Sequence, residues 1–370
     1  MDSRGSALVG RLGGDPNRVR LIRAPGRVNL IGDHTDYNDG FCLPMAIDRD
    51  CMVGATPGRA VRVRAESLDA EGRVDLPALG PSPTAETGWG RFVAAATHVV
   101  SDRFGPVSGV DLAVSSTVPI GSGLSSSAAL CVALVGALGG PPTGDADRVE
   151  LARAARDVEV LATGVPVGLM DQLASVFGRR DAALFLDCRT LDVVPVPLPA
   201  TLAVGVVHSG LARSLESSAY AERREACAAA ARRLGLPALR DATTAQVADD
   251  PIARHVVSEN ARVVAAVEAL RRGDVTTLGA LMSDSHASLR DDFRVSTPEL
   301  DTLVEALLDA GAIGARLTGA GFGGCVVAVT APDRREEVLT RAGDRYRTLT
   351  GLEPRAFAVR AVDGAGPLQL

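Results

Sequence analysis

Along the first 200 residues, short runs of strand-like periodicity alternate with longer helical ones. "RVRLIRAPGRVNLIG" (18–32) predicts a strand, a Pro-Gly turn and a second strand, and "CMVGATPGRAVRVRAES" (51–67) a strand pair. A Pro-rich loop over 77–86 leads into a helix at "GWGRFVAAATHVVSDRFG" (88–105). "GVDLAVSSTVP" (109–119) alternates apolar and polar positions as a half-buried strand does. Next come a Gly/Ser loop and an apolar helix, "IGSGLSSSAALCVALVGALGG" (120–140), stopped by Gly-Gly-Pro-Pro. A second helix covers 146–163, and strands are expected at 182–187 and 192–196.

The second half opens on the strand "LAVGVVHSG" (202–210) and an amphipathic helix, "SSAYAERREACAAAARRLG" (217–235), with Ala and Cys opposite Arg and Glu. Further helices fill 246–310, a Gly-rich turn runs into an apolar strand at "ARLTGAGFGGCVVAV" (315–329), and "RAFAVRAV" (355–362) closes the pattern. Alternation without a strict βαβ repeat predicts an α+β fold with mixed sheets. A chain of 370 residues suggests two domains. The Pro-rich "VVPVPLPATL" (193–202) is the best linker, dividing the chain into 1–200 and 201–370.

Charge narrows the function. A net charge of −6 argues against nucleic acid or an anionic membrane as the partner, because either needs clustered positive charge. No apolar run reaches the roughly 20 residues of a membrane span, and the N-terminal segment lacks a signal-peptide core, so a cytoplasmic protein is expected. The sequence contains no lysine; all 39 basic residues are arginine. That excludes a Walker-type phosphate loop and Schiff-base chemistry. The six cysteines are scattered without a Cys-x-x-Cys pair and read as buried small hydrophobes, not as disulfides or a zinc site.

Four stretches carry candidate chemistry. "GRVNLIGDHTDYNDG" (26–40) concentrates Arg27, Asp33, His34, Asp36, Tyr37 and Asp39, types suited to a metal, a phosphate or a polyhydroxyl ligand. "PIGSGLSSSAAL" (119–130) offers backbone N–H groups at a helix N-terminus, a cradle for phosphate, with Ser125, Ser126 and Ser127 as hydroxyl donors. As a bland alternative, it is a serine-capped connection. "GLMDQ" (168–172) places Asp171 twelve residues after Glu159; one carboxylate for a metal and one for a proton would suit phosphoryl transfer, although alone Asp171 reads as a helix cap or a surface turn. "TGAGFGGCVVAV" (318–329) exposes backbone before a strand, so it does not fit a dinucleotide fold, which needs a helix there. It reads as packing beside the phosphate cradle or shaping the site from the second domain.

In this order the stretches closely resemble the GHMP small-molecule kinases, and within them the galactokinases. "PGRVNLIGDHTDYNDGF" resembles the galactokinase signature, "PIGSGLSSSAAL" the superfamily phosphate loop and "LTGAGFGGC" its third motif. "GVPVGLMDQLAS", "LFLDCRTLD", "SLESSAYAERREAC" and "SDSHASLRDDFRVSTPELD" extend the likeness over roughly residues 20–360. The resemblance implies a GHMP kinase fold, with an N-terminal domain like ribosomal protein S5 domain 2, a C-terminal ferredoxin-like α/β domain and the active site in the cleft between them.

It further implies an ATP-dependent sugar 1-kinase that forms galactose 1-phosphate. ATP phosphates would lie on Gly121, Ser122, Gly123, Leu124, Ser125, Ser126 and Ser127, and Mg²⁺ on Ser127 and Glu159. Asp171 would be the base and Arg27 its electrostatic partner, with sugar hydroxyls on Asp33, His34, Asp36, the Gly168 backbone and Tyr220. Asn38 and Asp39 are assigned to the turn, and His98, His208, His255 and His286 to structure. Sugar and ATP are the expected partners of a monomer. Galactokinases usually carry "GEHTDY", the glutamate facing the sugar C6 hydroxyl; Asp33 stands there, leaving room for a water or a bulkier C6 group. Val167, His208 and Phe92 also depart from the usual Cys, Asn and Tyr without removing a catalytic role. A kinase for galacturonate, N-acetylgalactosamine, fucose or arabinose is therefore the alternative, and a non-catalytic sugar sensor a more distant one.

Overall fold

A computed structural model describes residues 3–58, 60–78, 87–211 and 216–368, apart from the side chains of 216–218. Most of the loop expected over 77–86 lies outside the described residues. The first part of the chain runs helix α1 (Ser3–Arg11), strands β1 (Arg20–Asn29), β2 (Phe41–Cys42), β3 (Pro44–Pro57), β4 (Arg62–Ser67) and β5 (Arg73–Pro77), then α2 (Gly90–Phe104), β6 (Val110–Ser116), α3 (Ser126–Gly139), α4 (Asp145–Thr163), α5 (Met170–Phe177), β7 (Ala182–Asp187) and β8 (Val193–Pro197). The second part runs β9 (Ala203–His208), α6 (Glu216–Leu234), α7 (Pro251–Arg271), α8 (Val275–Asp291), α9 (Pro298–Ala310), β10 (Gly314–Thr318), β11 (Cys325–Thr330), α10 (Arg335–Thr350), β12 (Arg355–Val359) and β13 (Gly366–Leu368).

The architecture is α+β with a mixed sheet. A six-stranded sheet runs β13-β1-β3-β6-β4-β5, with β4 and β6 parallel and its other pairs antiparallel. Helices α3 and α5 pack on β1 and β3, while α1 covers the opposite face through Leu8 and Val9 against Leu21 and Met52. A four-stranded sheet, β10-β11-β9-β12, alternates cleanly: Val204, Val206, Val327 and Val329 face the large core, and Val207, Val326 and Ala328 face a second one. Helices α7, α8 and α9 begin on side-chain caps, Asp250, Asp274 and Thr297 accepting from the N–H groups of Ala253, Thr277 and Leu300. No helix among the described residues is long and apolar enough to cross a membrane.

Two sequence expectations need correction, and a third is borne out in an unexpected setting. The Pro25-Gly26 pair makes no turn: β1 runs straight through it, and the register against β3 shifts between Pro25 and Arg27, as in a β-bulge. The strand expected at 192–196 is β8, which overlaps the Pro-rich linker candidate; it is the edge of the sheet β2-β7-β8, and an edge tolerates Pro195 and Pro197. The chain also does more after 355–362 than the pattern foresaw, since β13 returns to pair with β1 (Leu21 with Leu368), so the first sheet includes residues from beyond position 201.

The bulge has a purpose. It brings the Arg27 N–H onto the Leu124 carbonyl at 3.1 Å, tying β1 to the Gly/Ser loop. A Cβ on Gly26 would sit 2.6 Å from that carbonyl oxygen, so only glycine permits the approach. Gly26→Ala is expected to lower unfolding free energy in urea by about 1–3 kcal/mol, the usual cost of overpacking. An unchanged midpoint would refute this reading of the bulge.

Candidate active site

The elements meet at a cleft of about 570 Å³. Its walls are Arg27 of β1, the loop after β1 (Asp33, His34, Asp36, Tyr37), the start of α2, the Gly/Ser loop, Glu159 of α4, Gly168 to Gln172, Tyr220 of α6, and Gly319 with Ala320.

At its centre Arg27 and Asp171 form a two-pronged pair. Nε donates to Oδ1 at 2.7 Å and Nη2 to Oδ2 at 2.8 Å, while Nη1 donates to the Gly123 carbonyl at 2.6 Å. This fork geometry is the strong form of a charge-assisted hydrogen bond. Burial works against the Arg27 charge, but Asp171, Asp33 and Asp36 outweigh it and hold its pKa above the ordinary arginine value. Asp171 is neither a cap nor an exposed turn residue: it lies in the first turn of α5, where the helix dipole favours an acid. Ser125 caps α3 in a left-handed conformation (φ 61°) that few non-glycine residues adopt, and its hydroxyl donates to Asp171 Oδ2 at 2.5 Å.

Beside this pair, Glu159 accepts from the Ser127 hydroxyl at 2.5 Å and from Gln172 Nε2 at 2.6 Å. Burial pushes its carboxyl up to about 7. Ser122 and Leu124 do not line the cleft: Ser122 Oγ donates to the Pro119 carbonyl at 2.7 Å, and Leu124 is buried. Gly121, Gly123, Ser125, Ser126 and Ser127 do line it.

The loop after β1 is fixed from within and from behind. Asn38 donates to the His34 carbonyl at 2.9 Å and Asp39 adopts φ 58°, so both build the turn. From α7, Glu259 accepts from Gly32 N at 2.8 Å and Asn260 from Phe41 N at 2.8 Å. Asp33 is buried and both its oxygens are engaged: Arg316 Nη2 lies 2.7 Å from Oδ2, and Gly319 N donates to Oδ1 at 3.2 Å. Burial still pushes its carboxyl up, against Arg316 and Arg27. Burial holds His34 neutral, with a pKa of about 3, and its Nδ1 lies 2.8 Å from the Tyr37 hydroxyl. Asp36 is raised to about 6 by burial and by Asp171. Its Oδ2 packs so closely on Gly168 that a Cβ there would fall 1.7 Å away. Tyr220 stacks edge-on against Tyr37 at 5.5 Å.

All the substrate, base and metal candidates from the sequence thus line one cleft, and His98, His208, His255 and His286 do not. Sequence reading missed Arg316, Glu259 and Gln172. Arg316 occupies a fully buried strand position, and its local sequence reveals neither that burial nor its partner.

The raised Glu159 pKa has a sign. Below the unfolded value of 4.5 the carboxyl is protonated in both states; as pH rises toward about 7 only the unfolded state ionises, so stability falls. Melting temperatures of the ligand-free protein and of Glu159→Gln should therefore diverge, the wild type losing ground between pH 4.5 and 7 by at most about 1.4 kcal/mol per pH unit. A pH-independent difference would contradict the assignment.

Comparisons with known proteins identify the family. The galactokinase galactose-binding signature matches residues 11–57, the GHMP kinase N-terminal domain residues 91–179 and the GHMP kinase C-terminal domain residues 266–348. A galactokinase of Roseiflexus sp. (strain RS-1) is 44% identical over 94% of this chain and 92% of its own. The crystal structure of Lactococcus lactis galactokinase complexed with galactose superposes with a TM-score of 0.90 at 30% identity, over 99% of both chains. Methanococcus jannaschii mevalonate kinase, at 20% identity over 93% of this chain and 98% of its own, shares the fold with a TM-score of 0.68. The chain belongs to the galactokinases of the GHMP kinase superfamily.

Proposed function

We propose that this chain transfers the γ-phosphoryl group of ATP to the C1 hydroxyl of D-galactose, giving galactose 1-phosphate and ADP. The observation that carries this reading is the Arg27–Asp171 pair, which stands between the Gly/Ser loop and the acidic loop of residues 33–37 in one cleft. Asp171 acts as base. The Asp171 side chain is 27% exposed and lines the cleft, so its carboxylate is open to an incoming hydroxyl. An anomeric hydroxyl is more acidic than an ordinary alcohol, which suits a carboxylate base. The Arg27 guanidinium stabilises the developing alkoxide and the transferring phosphoryl group.

The sugar hydroxyls meet Asp33, His34, Asp36, the Gly168 backbone and Tyr220. A neutral His34 supports this, because it can donate or accept where an imidazolium could only donate. The ATP phosphates meet the N–H groups of the Gly/Ser loop at the start of α3.

Ser127 and Glu159 fit a magnesium ion. Burial leaves Glu159 paired only with neutral donors, a state that a cation relieves. No cluster of three acidic, His or Cys ligands exists among the described residues, so phosphate oxygens and water would complete the shell, as is usual for Mg²⁺. When bound there, the ion neutralises charge on the nucleotide phosphates.

One observation favours the second reading, a related sugar. Asp33 is turned toward Arg316 and Gly319, so its short carboxylate has less reach into the cleft than a glutamate would have. ADP release measured over hexoses varied at C6 separates the readings. Galactose should have the highest kcat/KM, and a clear preference for galacturonate, fucose or arabinose would overturn the first reading. Asp171→Asn should bind sugar normally and lose about 10²–10⁴ in kcat; near-normal turnover would remove Asp171 as base.

A further inference from the structure

A nucleotide polyphosphate needs positive charge, and this cleft holds little of it. The carboxylates of Asp33, Asp36, Glu159 and Asp171 line it, and among the described residues its arginines are Arg27 and Arg91. The chain has no lysine, so any cation at the site is an arginine or a metal ion. Arg27 is held on Asp171 and on the Gly123 carbonyl, where it serves the reacting hydroxyl and the transferring group and not the rest of the polyphosphate. Arg91 has no carboxylate within ion-pair distance among the described residues, although most arginines around the molecule are paired. Its guanidinium lies 5.3 Å from the centre of the Phe92 ring and is solvent-exposed at the cleft.

Its position is electrostatically awkward. Arg91 sits in the first turn of α2, whose N-cap Trp89 makes no side-chain cap and whose first turn contains no acid. The helix dipole already makes that end positive, so a cation there is unfavourable by some tenths of a kcal/mol unless an anion approaches. A structural role on Phe92 would need only the apolar stem of the side chain.

We propose that Arg91 binds the polyphosphate of ATP, its guanidinium and the open N-terminus of α2 forming the cationic rim opposite Ser125, Ser126 and Ser127. The proposal rests on the cleft being the ATP site. It names a phosphate contact that lies outside the Gly/Ser loop.

Calorimetric titration of the full chain with MgATP, inorganic tripolyphosphate and adenosine tests it, with fluorescence of Trp89, the sole tryptophan, as a second readout. Arg91→Met keeps the stem over Phe92 and removes the charge, while Arg91→Lys restores a cation. Arg91→Met should weaken MgATP and tripolyphosphate about tenfold at low salt, in line with one charge-assisted hydrogen bond. Arg91→Lys should recover most of that, with adenosine affinity and the KM for galactose unchanged. Equal tripolyphosphate affinities in wild type and Arg91→Met would overturn the proposal, as would a loss confined to adenosine, which would mean stacking on the base. If the wild type binds neither MgATP nor tripolyphosphate, the reading of the cleft itself fails. If it turns over sugar normally and Arg91→Met matches it at low ATP, the Arg91 assignment alone fails.

Discussion

The site depends on a single ion pair. Arg27 leaves β1 just after its bulge, Asp171 opens α5, and the Ser125 hydroxyl completes the contact from the start of α3. Three elements far apart in sequence are thereby set against one another around a carboxylate. The Arg27 side chain is 6% exposed and that of Asp171 27%, so the cation is dry while the carboxylate still reaches the cleft. A buried pair of this kind adds little net stability, yet losing one partner costs about 3–5 kcal/mol. Its value is therefore positional: an acceptor aimed into the cleft, beside a cation that cannot lose its proton.

The acidic loop beyond β1 is held by the other half of the molecule. Glu259 is fully buried; burial alone would raise its pKa, but Arg316, His255 and Arg262 hold it down at about 2. As a fixed anion it accepts from Gly32 N and from the Ser285 hydroxyl and lies 3.8 Å from Arg316, which in turn meets Asp33 at 2.7 Å and the Leu30 carbonyl at 3.3 Å. The chain of charges runs from α7 through β10 to the loop, so the geometry of the cleft is a property of both halves. The return of β13 to β1 ties them again at the opposite end of the sheet.

Much of this was readable from the sequence, for physical reasons. Strand β6 shows alternation, β11 and α3 show unbroken apolar runs, and α2 shows helical periodicity, so each is seen locally, and the motif residues are dense enough to mark the cleft. What stayed hidden was set by tertiary contact. Pro25-Gly26 has turn chemistry, but the approach of the Leu124 carbonyl makes it a bulge. The strand at 192–196 was visible despite Pro195 and Pro197, but its place at a sheet edge, which tolerates them, was not. Arg316 and Glu259 look like surface charges in the sequence because nothing local reveals that each is buried against a partner. Asp33 was recognisable as a departure from the family pattern, but its pairing with Arg316 was not.

What the cleft is proposed to do is phosphorylate the anomeric hydroxyl of galactose at the expense of ATP. Phosphorus NMR of the product formed from galactose and MgATP tests it most directly. A phosphate on C1 is coupled to a single carbon-bound proton and gives a doublet, appearing in step with ADP. A resonance split by two protons, as for a C6 phosphate, or inorganic phosphate released without a sugar phosphate, would contradict the account.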